Sequence, residues 1–127
     1  MSPGIIVFAH GSRIASANQA VCEVAARLAQ AGSFEHVEAA FLELGQPDLE
    51  GAVARLASYG VRRIVVLPYF LTPGLHLERD LPRIVADISS KYSGLEILVT
   101  PPLDGHPALL EVLLDRARAV INLTTSH

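Results

Sequence analysis

Four short apolar runs alternate with four segments of helical period, and this alternation constrains the fold more than any other feature of the chain. The first run, Ile5 to Ala9, is continuously apolar, as a strand buried on both faces requires. The others are Val37 to Leu44, Arg63 to Leu67 and Glu96 to Val99, the last closed by Pro101-Pro102. Between the first two lies a predicted helix over Ser16 to Ala31, with Ala17, Val21, Val24, Ala25 and Leu28 on one face and Gly32 as a stop. Asp48 is placed to cap a second helix carrying Leu49, Ala52, Val53 and Leu56 on one stripe. After the third strand a long loop runs from Pro68 to His76, through Tyr69, Phe70, Leu71, Thr72, Pro73, Gly74 and Leu75. A third helix is expected near Asp80, with Pro82 in its first turn and Leu81, Ile84, Val85 and Ile88 inward. The fourth, from about Pro107 to Val120, turns Leu110, Leu113, Leu114 and Ala117 to the core.

Strands alternating with helices predict an α/β domain, a parallel sheet with helices on both faces. Right-handed crossovers give the strand order 2-1-3-4, a flavodoxin-like winding that reverses between strands 1 and 3, and ligands bind at the carboxyl ends of strands beside such a switch point. At 127 residues, half of them apolar and 18% charged, the chain is expected to be one domain over residues 1–127, with a frayed tail at about 122–127. Net charge is −3, and of ten basic residues only Lys91 is a lysine, which argues against nucleic acid or a polybasic membrane patch as partner. No apolar stretch reaches the roughly 18 residues of a membrane span. The single cysteine, Cys22, excludes an intramolecular disulfide framework and a multi-cysteine zinc site, and reads as packed within the first helix. A cytoplasmic protein without a leader fits best.

The expected topology brings distant residues to one sheet edge. His10 ends strand 1 in Ala9-His10-Gly11-Ser12-Arg13, His76 lies in the loop after strand 3, and Glu43 ends strand 2. Two imidazoles and a carboxylate can bind a first-row divalent ion with positions left open, and the imidazoles can take up protons near neutral pH. Each also has a plainer role: a loop hydrogen bonder for either histidine, a solvated strand-end charge or a partner of Arg13 for Glu43. Gly11-Ser12 reads either as a tight turn or, with Arg13, as a short anion cradle. It is neither a P-loop nor a GxGxxG loop, and no GxSxG elbow supports Ser12 as a nucleophile. Asp104-Gly105-His106-Pro107 is either a turn opening a helix or a segment placing His106 at the crevice rim. His36 and His127 have no assigned role. The apolar Pro68 to Leu71 segment and Leu75 suit a large flat ligand, a subunit interface, or both.

The HGSR after strand 1, FLELGQPDL at Phe41 to Leu49, LPYFLTPGLHLERDLP at Leu67 to Pro82, and DGHPAL at Asp104 to Leu109 resemble the small sirohydrochlorin chelatases. These are half-length members of the class II tetrapyrrole chelatases. The resemblance covers most of the chain, and the segment around His76 is its specific part. It implies insertion of cobalt or ferrous iron, with nickel a third candidate, into sirohydrochlorin, for cobalamin or siroheme. The metal is then a substrate, and no organic cofactor is implied. It also implies that His10 and His76 are metal ligands and proton acceptors, that Glu43 matches a third ligand position, and that the protein is a homodimer facing the tetrapyrrole from two copies. Tyr69, Phe70, Leu71 and Leu75 would then support the ring. Arg13, the backbone N–H groups of Gly11 and Ser12, and Arg79 would meet its peripheral carboxylates.

Three rival readings use the same residues. A non-catalytic carrier would bind a tetrapyrrole or metal and saturate at one equivalent. An anion-binding module would hold phosphate at Gly11-Ser12-Arg13 and ignore metals. A pure interaction domain would leave the placement of His10 and His76 a coincidence.

Overall fold

The computed structural model describes residues 2–72 and 74–125. Its elements run β1 (Gly4–Ala9), α1 (Ala15–Gly32), β2 (His36–Phe41), α2 (Leu49–Ser58), β3 (Arg63–Pro68), α3 (Gly74–Lys91), β4 (Glu96–Val99) and α4 (Pro107–Thr125). The four strands form one sheet in the order β2-β1-β3-β4, every neighbouring pair parallel. This is the α/β winding expected from the alternation, with the switch between β1 and β3.

The continuous apolar run of β1 is explained by its place. All six residues are buried, because helices lie on both faces. On one face Ile6 and Phe8 pack with Leu49, Ala52, Val53 and Leu56 of α2 and Leu77, Leu81 and Ile88 of α3. On the other, Val7 and Ala9 pack with Val21 and Ala25 of α1 and Phe41 of β2, with Cys22 partly buried at the margin. Asp48 caps α2 as expected, accepting from the Gly51 N–H at 2.8 Å. His36 starts β2 rather than preceding it, and stacks on Tyr59 with ring centroids 5.3 Å apart.

Three expectations are corrected. First, α3 begins at Gly74, not near Asp80, so His76 sits in its first turn and Pro82 is interior. An interior proline loses a backbone hydrogen bond and costs about 3 kcal/mol. Buried Leu77, Leu81 and Ile88 outweigh that, since each large aliphatic side chain contributes roughly 1.5–3 kcal/mol on burial. Second, the helical turn continues through Thr125, past the expected end at Val120 and into the segment read as frayed; Pro73, Ser126 and His127 lie outside the described residues. Third, the stripe of α4 does not face a core. Leu110 is 61% and Leu113 66% exposed, and no described residue of α4 is buried.

Candidate functional site at the carboxyl edge of the sheet

The site begins where β1 and β3 end. The chain leaves β1 at Ala9 and presents His10, exposed, at the carboxyl edge. Past β3, the Tyr69 N–H donates to the Phe8 carbonyl at 2.7 Å, which keeps the next segment against β1. Phe70 then meets His10 edge-on, with ring centroids 5.9 Å apart and planes at 61°. That contact limits where the imidazole can swing.

The first turn of α3 closes the arrangement. His10 and His76 line one cavity of about 290 Å³, together with Leu42, Leu75, Leu77, Asp80 and Ile84. The fold therefore brings both predicted histidines together. Asp80 is a participant that the sequence reading missed. It follows His76 by four residues, so on a helix the two share a face. The spacing carries this signal only with His76 on a helix, which the loop expected from Pro68 to His76 does not provide. Among the described residues no hydrogen bond or ion pair joins the two side chains; they share the cavity wall.

Glu43 lies beyond the end of β2, and its backbone N–H donates to the His10 carbonyl at 3.1 Å. Its exposed carboxylate does not line the cavity. Among the described residues, no group of three His, Cys, Asp or Glu converges closely enough to hold a metal ion. The cavity wall thus carries the two histidines and Asp80, with Glu43 outside it on the neighbouring loop.

Of the backbone donors in the Gly11-Ser12 segment, one is engaged within the protein. The Ser12 N–H already donates to Asn18 Oδ1 at 2.9 Å. Asn18 Nδ2 donates back to the Ser12 carbonyl at 2.9 Å and to the Leu44 carbonyl at 2.8 Å. This side chain clamps the loop after β1 to the loop after β2. Nothing local in the sequence singles it out, because its partners are backbone atoms of two separate loops. Gly11 is required for a related reason. Its φ is +95°, and a Cβ there would land on the Glu43 carbonyl. Gly11→Ala is therefore expected to cost about 1–3 kcal/mol and to loosen the loop holding His10. Urea unfolding checks this, and an unchanged midpoint would contradict the packing described.

The remaining predicted residues surround the cavity to different degrees. Leu75 is 79%, Leu71 61% and Tyr69 40% exposed, so an apolar surface faces solvent beside the histidines. Phe70 is half-buried and lines a neighbouring apolar cavity of about 410 Å³ with Pro68, Leu81 and Val85. Arg13 and Arg79 are exposed and, among the described residues, in no ion pair. His106 uses Nδ1 to accept the Ala108 N–H at 3.0 Å, which caps α4 and gives that histidine a structural task.

Residues 4–120 match the CbiX family. The chain is 37% identical over 113 residues to the chloroplastic sirohydrochlorin ferrochelatase of Arabidopsis thaliana, covering 89% of this chain and 50% of that one. It thus spans about half the length of that relative. It is 30% identical to the sirohydrochlorin cobaltochelatase of Methanopyrus kandleri, covering 92% of this chain and 96% of that one. Among solved structures, a putative cobalamin biosynthesis CbiX protein of Marinobacter aquaeolei superposes with a TM-score of 0.77 at 30% identity, over 94% of this chain and 97% of that one. SirB of Bacillus subtilis subspecies spizizenii, a sirohydrochlorin chelatase in complex with cobalt, gives 0.85 at 25% identity, over 94% of this chain and 51% of that one. With the match running from the first residue of β1 almost to the end of α4, this chain belongs to the CbiX family.

Proposed function

We propose that this chain is a sirohydrochlorin metal chelatase, a lyase that inserts cobalt or ferrous iron, with nickel a third candidate, into the tetrapyrrole for cobalamin or siroheme synthesis. The observation that carries this reading is the pairing of His10 and His76, from two separate βα connections, on one cavity wall. The names of relatives that cover this chain almost end to end support it.

The chemistry asks for what these residues offer. Ring nitrogens point into the macrocycle plane, and two N–H protons leave as the metal enters. The protein must hold the ion loosely, present it to one ring face and accept protons. Neutral imidazoles serve both purposes, and only two of them leave the ion open to exchange. Exposed Tyr69, Leu71 and Leu75 offer an apolar rest for the ring. Arg13 and Arg79 offer guanidinium donors to its carboxylates. Affinity follows the Irving–Williams order whatever the pathway, so supply helps decide which metal is used.

A cavity of about 290 Å³ falls below the roughly 300–1,000 Å³ that enclose a drug-sized ligand, and a tetrapyrrole is larger. A second copy would cover the exposed face of the ring, so the working unit is read as a homodimer in the cytoplasm. Among the described residues, no helix is long and apolar enough to cross a membrane.

Metal titration tests the ligand set. Cobalt binding to the metal-free protein, followed by its visible absorption, is expected to weaken at least tenfold in His10→Ala and in His76→Ala. Glu43→Gln is expected to slow insertion more at low than at high metal concentration, as for a side chain that helps to capture the ion. An unchanged metal dependence would remove Glu43 from the ligand set. Turnover separates an enzyme from a carrier, which stops at one equivalent.

A further inference from the structure

Two exposed apolar residues on the loops around His10 stand against local backbone preference. Leu44 has φ +58°, in the left-handed region, where the Cβ of an L residue crowds its own backbone and glycine or asparagine sits at least cost. Its side chain is 52% exposed and joins neither apolar core cluster. Ile14 occupies the N-cap of α1, where its side chain makes no capping hydrogen bond. Serine, threonine, aspartate or asparagine there would satisfy an orphan N–H, and isoleucine is among the poorest choices. Ile14 is 63% exposed and also lies outside both clusters. A residue that breaks a local rule and buries nothing in return points to a use outside folding.

The fold sets both residues at the carboxyl edge. The loop after β1 carries His10 and Ile14, and the loop after β2 carries Glu43 and Leu44. The Leu42 N–H donates to the Ala9 carbonyl at 2.9 Å and the Glu43 N–H to the His10 carbonyl at 3.1 Å, so the two loops run side by side. Asn18, in the first turn of α1, locks them. Its side chain donates to the Leu44 carbonyl at 2.8 Å and to the Ser12 carbonyl at 2.9 Å, and its backbone N–H donates to the Ile14 carbonyl at 3.4 Å. This clamp is what over-determines the backbone and lets Leu44 keep its costly φ. The sheet order places β2 and β3 on opposite sides of β1. Leu44 therefore lies across His10 from Tyr69, Leu71 and Leu75, which follow β3.

We propose that Leu44 and Ile14 form a second apolar ledge for the macrocycle, which seats the ring over His10 from the side opposite Tyr69, Leu71 and Leu75. The proposal rests on the chelatase reading above and deepens it by naming residues that fix the substrate's position. A tetrapyrrole is a broad apolar disc with carboxylates at its rim. The ledge matches both parts, because Arg13 stands next to Ile14, exposed and, among the described residues, in no ion pair. A disc resting on one side of His10 can tip; one resting on both sides holds its nitrogens over the imidazole. Such seating needs apolar side chains turned to solvent in the free protein, which is how Leu44 and Ile14 stand.

Leu44→Asn and Ile14→Ser test this, because each repairs a local rule while removing the apolar contact. Asparagine suits the left-handed region without glycine's freedom, and serine can cap α1. Both variants are expected to unfold in urea at a midpoint equal to or above the parent's. Both are expected to bind metal-free sirohydrochlorin about fivefold or more weakly, read from the macrocycle's absorbance. The KM for the macrocycle should rise in step, and the KM for cobalt should stay within about twofold. Leu44→Met, which keeps an apolar side chain at the same φ, should bind within about twofold of the parent. A lower midpoint in either variant would show that the side chain packs the fold, which overturns the proposal. Sirohydrochlorin affinity within about twofold of the parent's in either variant would also overturn it and leave the chelatase reading standing, as would a shift in sedimentation alone. A parent protein that binds no sirohydrochlorin would overturn both.

Discussion

Replacing His76 with alanine is expected to lower the rate of metal insertion by about 10²–10⁴-fold, the range for removing a positioned proton acceptor. Unfolding stability should move by no more than about 0.5 kcal/mol, because the side chain is exposed. The two numbers together separate function from structure. His76 stands in the first turn of α3, where buried Leu77 and Leu81 already anchor the helix. Losing the imidazole leaves that anchor intact while removing half of the histidine pair that lines the cavity. A rate within a factor of three of the parent would place the chemistry elsewhere. A large loss of stability would mean that the residue has a packing role the structure does not give it.

The largest expected effect on the fold is at Phe41. Its side chain is 1% exposed, inside the cluster formed by α1, β1 and β2. Truncation to alanine should cost about 3–5 kcal/mol, combining lost transfer energy with the cavity left behind. That is a large share of the 5–15 kcal/mol typical of a domain. A second consequence is specific to this site. The Phe41 ring lies against Gly45, so close that a Cβ there would meet it at 2.8 Å. The Phe41 N–H also donates to the Pro47 carbonyl at 2.9 Å. The loop after β2 rests on this residue, and Glu43 in that loop supports the His10 backbone. Phe41→Ala should therefore slow insertion even at temperatures where the chain stays folded. A chemical unfolding series, with rates taken well below the transition, checks both; a loss under about 1 kcal/mol would contradict the packing.

The sheet was legible because its signals are local and strong. Ile5 to Ala9 is apolar without interruption, and a run that long, flanked by polar turns, has few other uses. The pairing of His10 with His76 followed from topology, which rests on the same alternation. The start of α3 was obscured by Pro73, Gly74 and Pro82, residues that punctuate loops far more often than helix interiors. Tertiary burial of Leu77, Leu81 and Ile88 settled the matter, and local propensity cannot report it. The same error hid Asp80. The stripe on α4 was real as a periodicity, but a period says that a face is apolar and not what lies against it. Asn18 and Gly11 were beyond reach for another reason. Their constraints come from the backbone of Leu44 and Glu43, contacts that exist only once the two loops have met.

The central claim is that His10 and His76 together move a metal ion into a tetrapyrrole. The most direct measurement mixes metal-free protein, in amounts well below the macrocycle, with sirohydrochlorin, and follows the absorbance spectrum as cobalt or ferrous ion is added. The account predicts many turnovers per chain for the parent and almost none above the uncatalysed rate for His10→Ala. A spectral change that stops at one equivalent, or a His10→Ala protein as active as the parent, would contradict it.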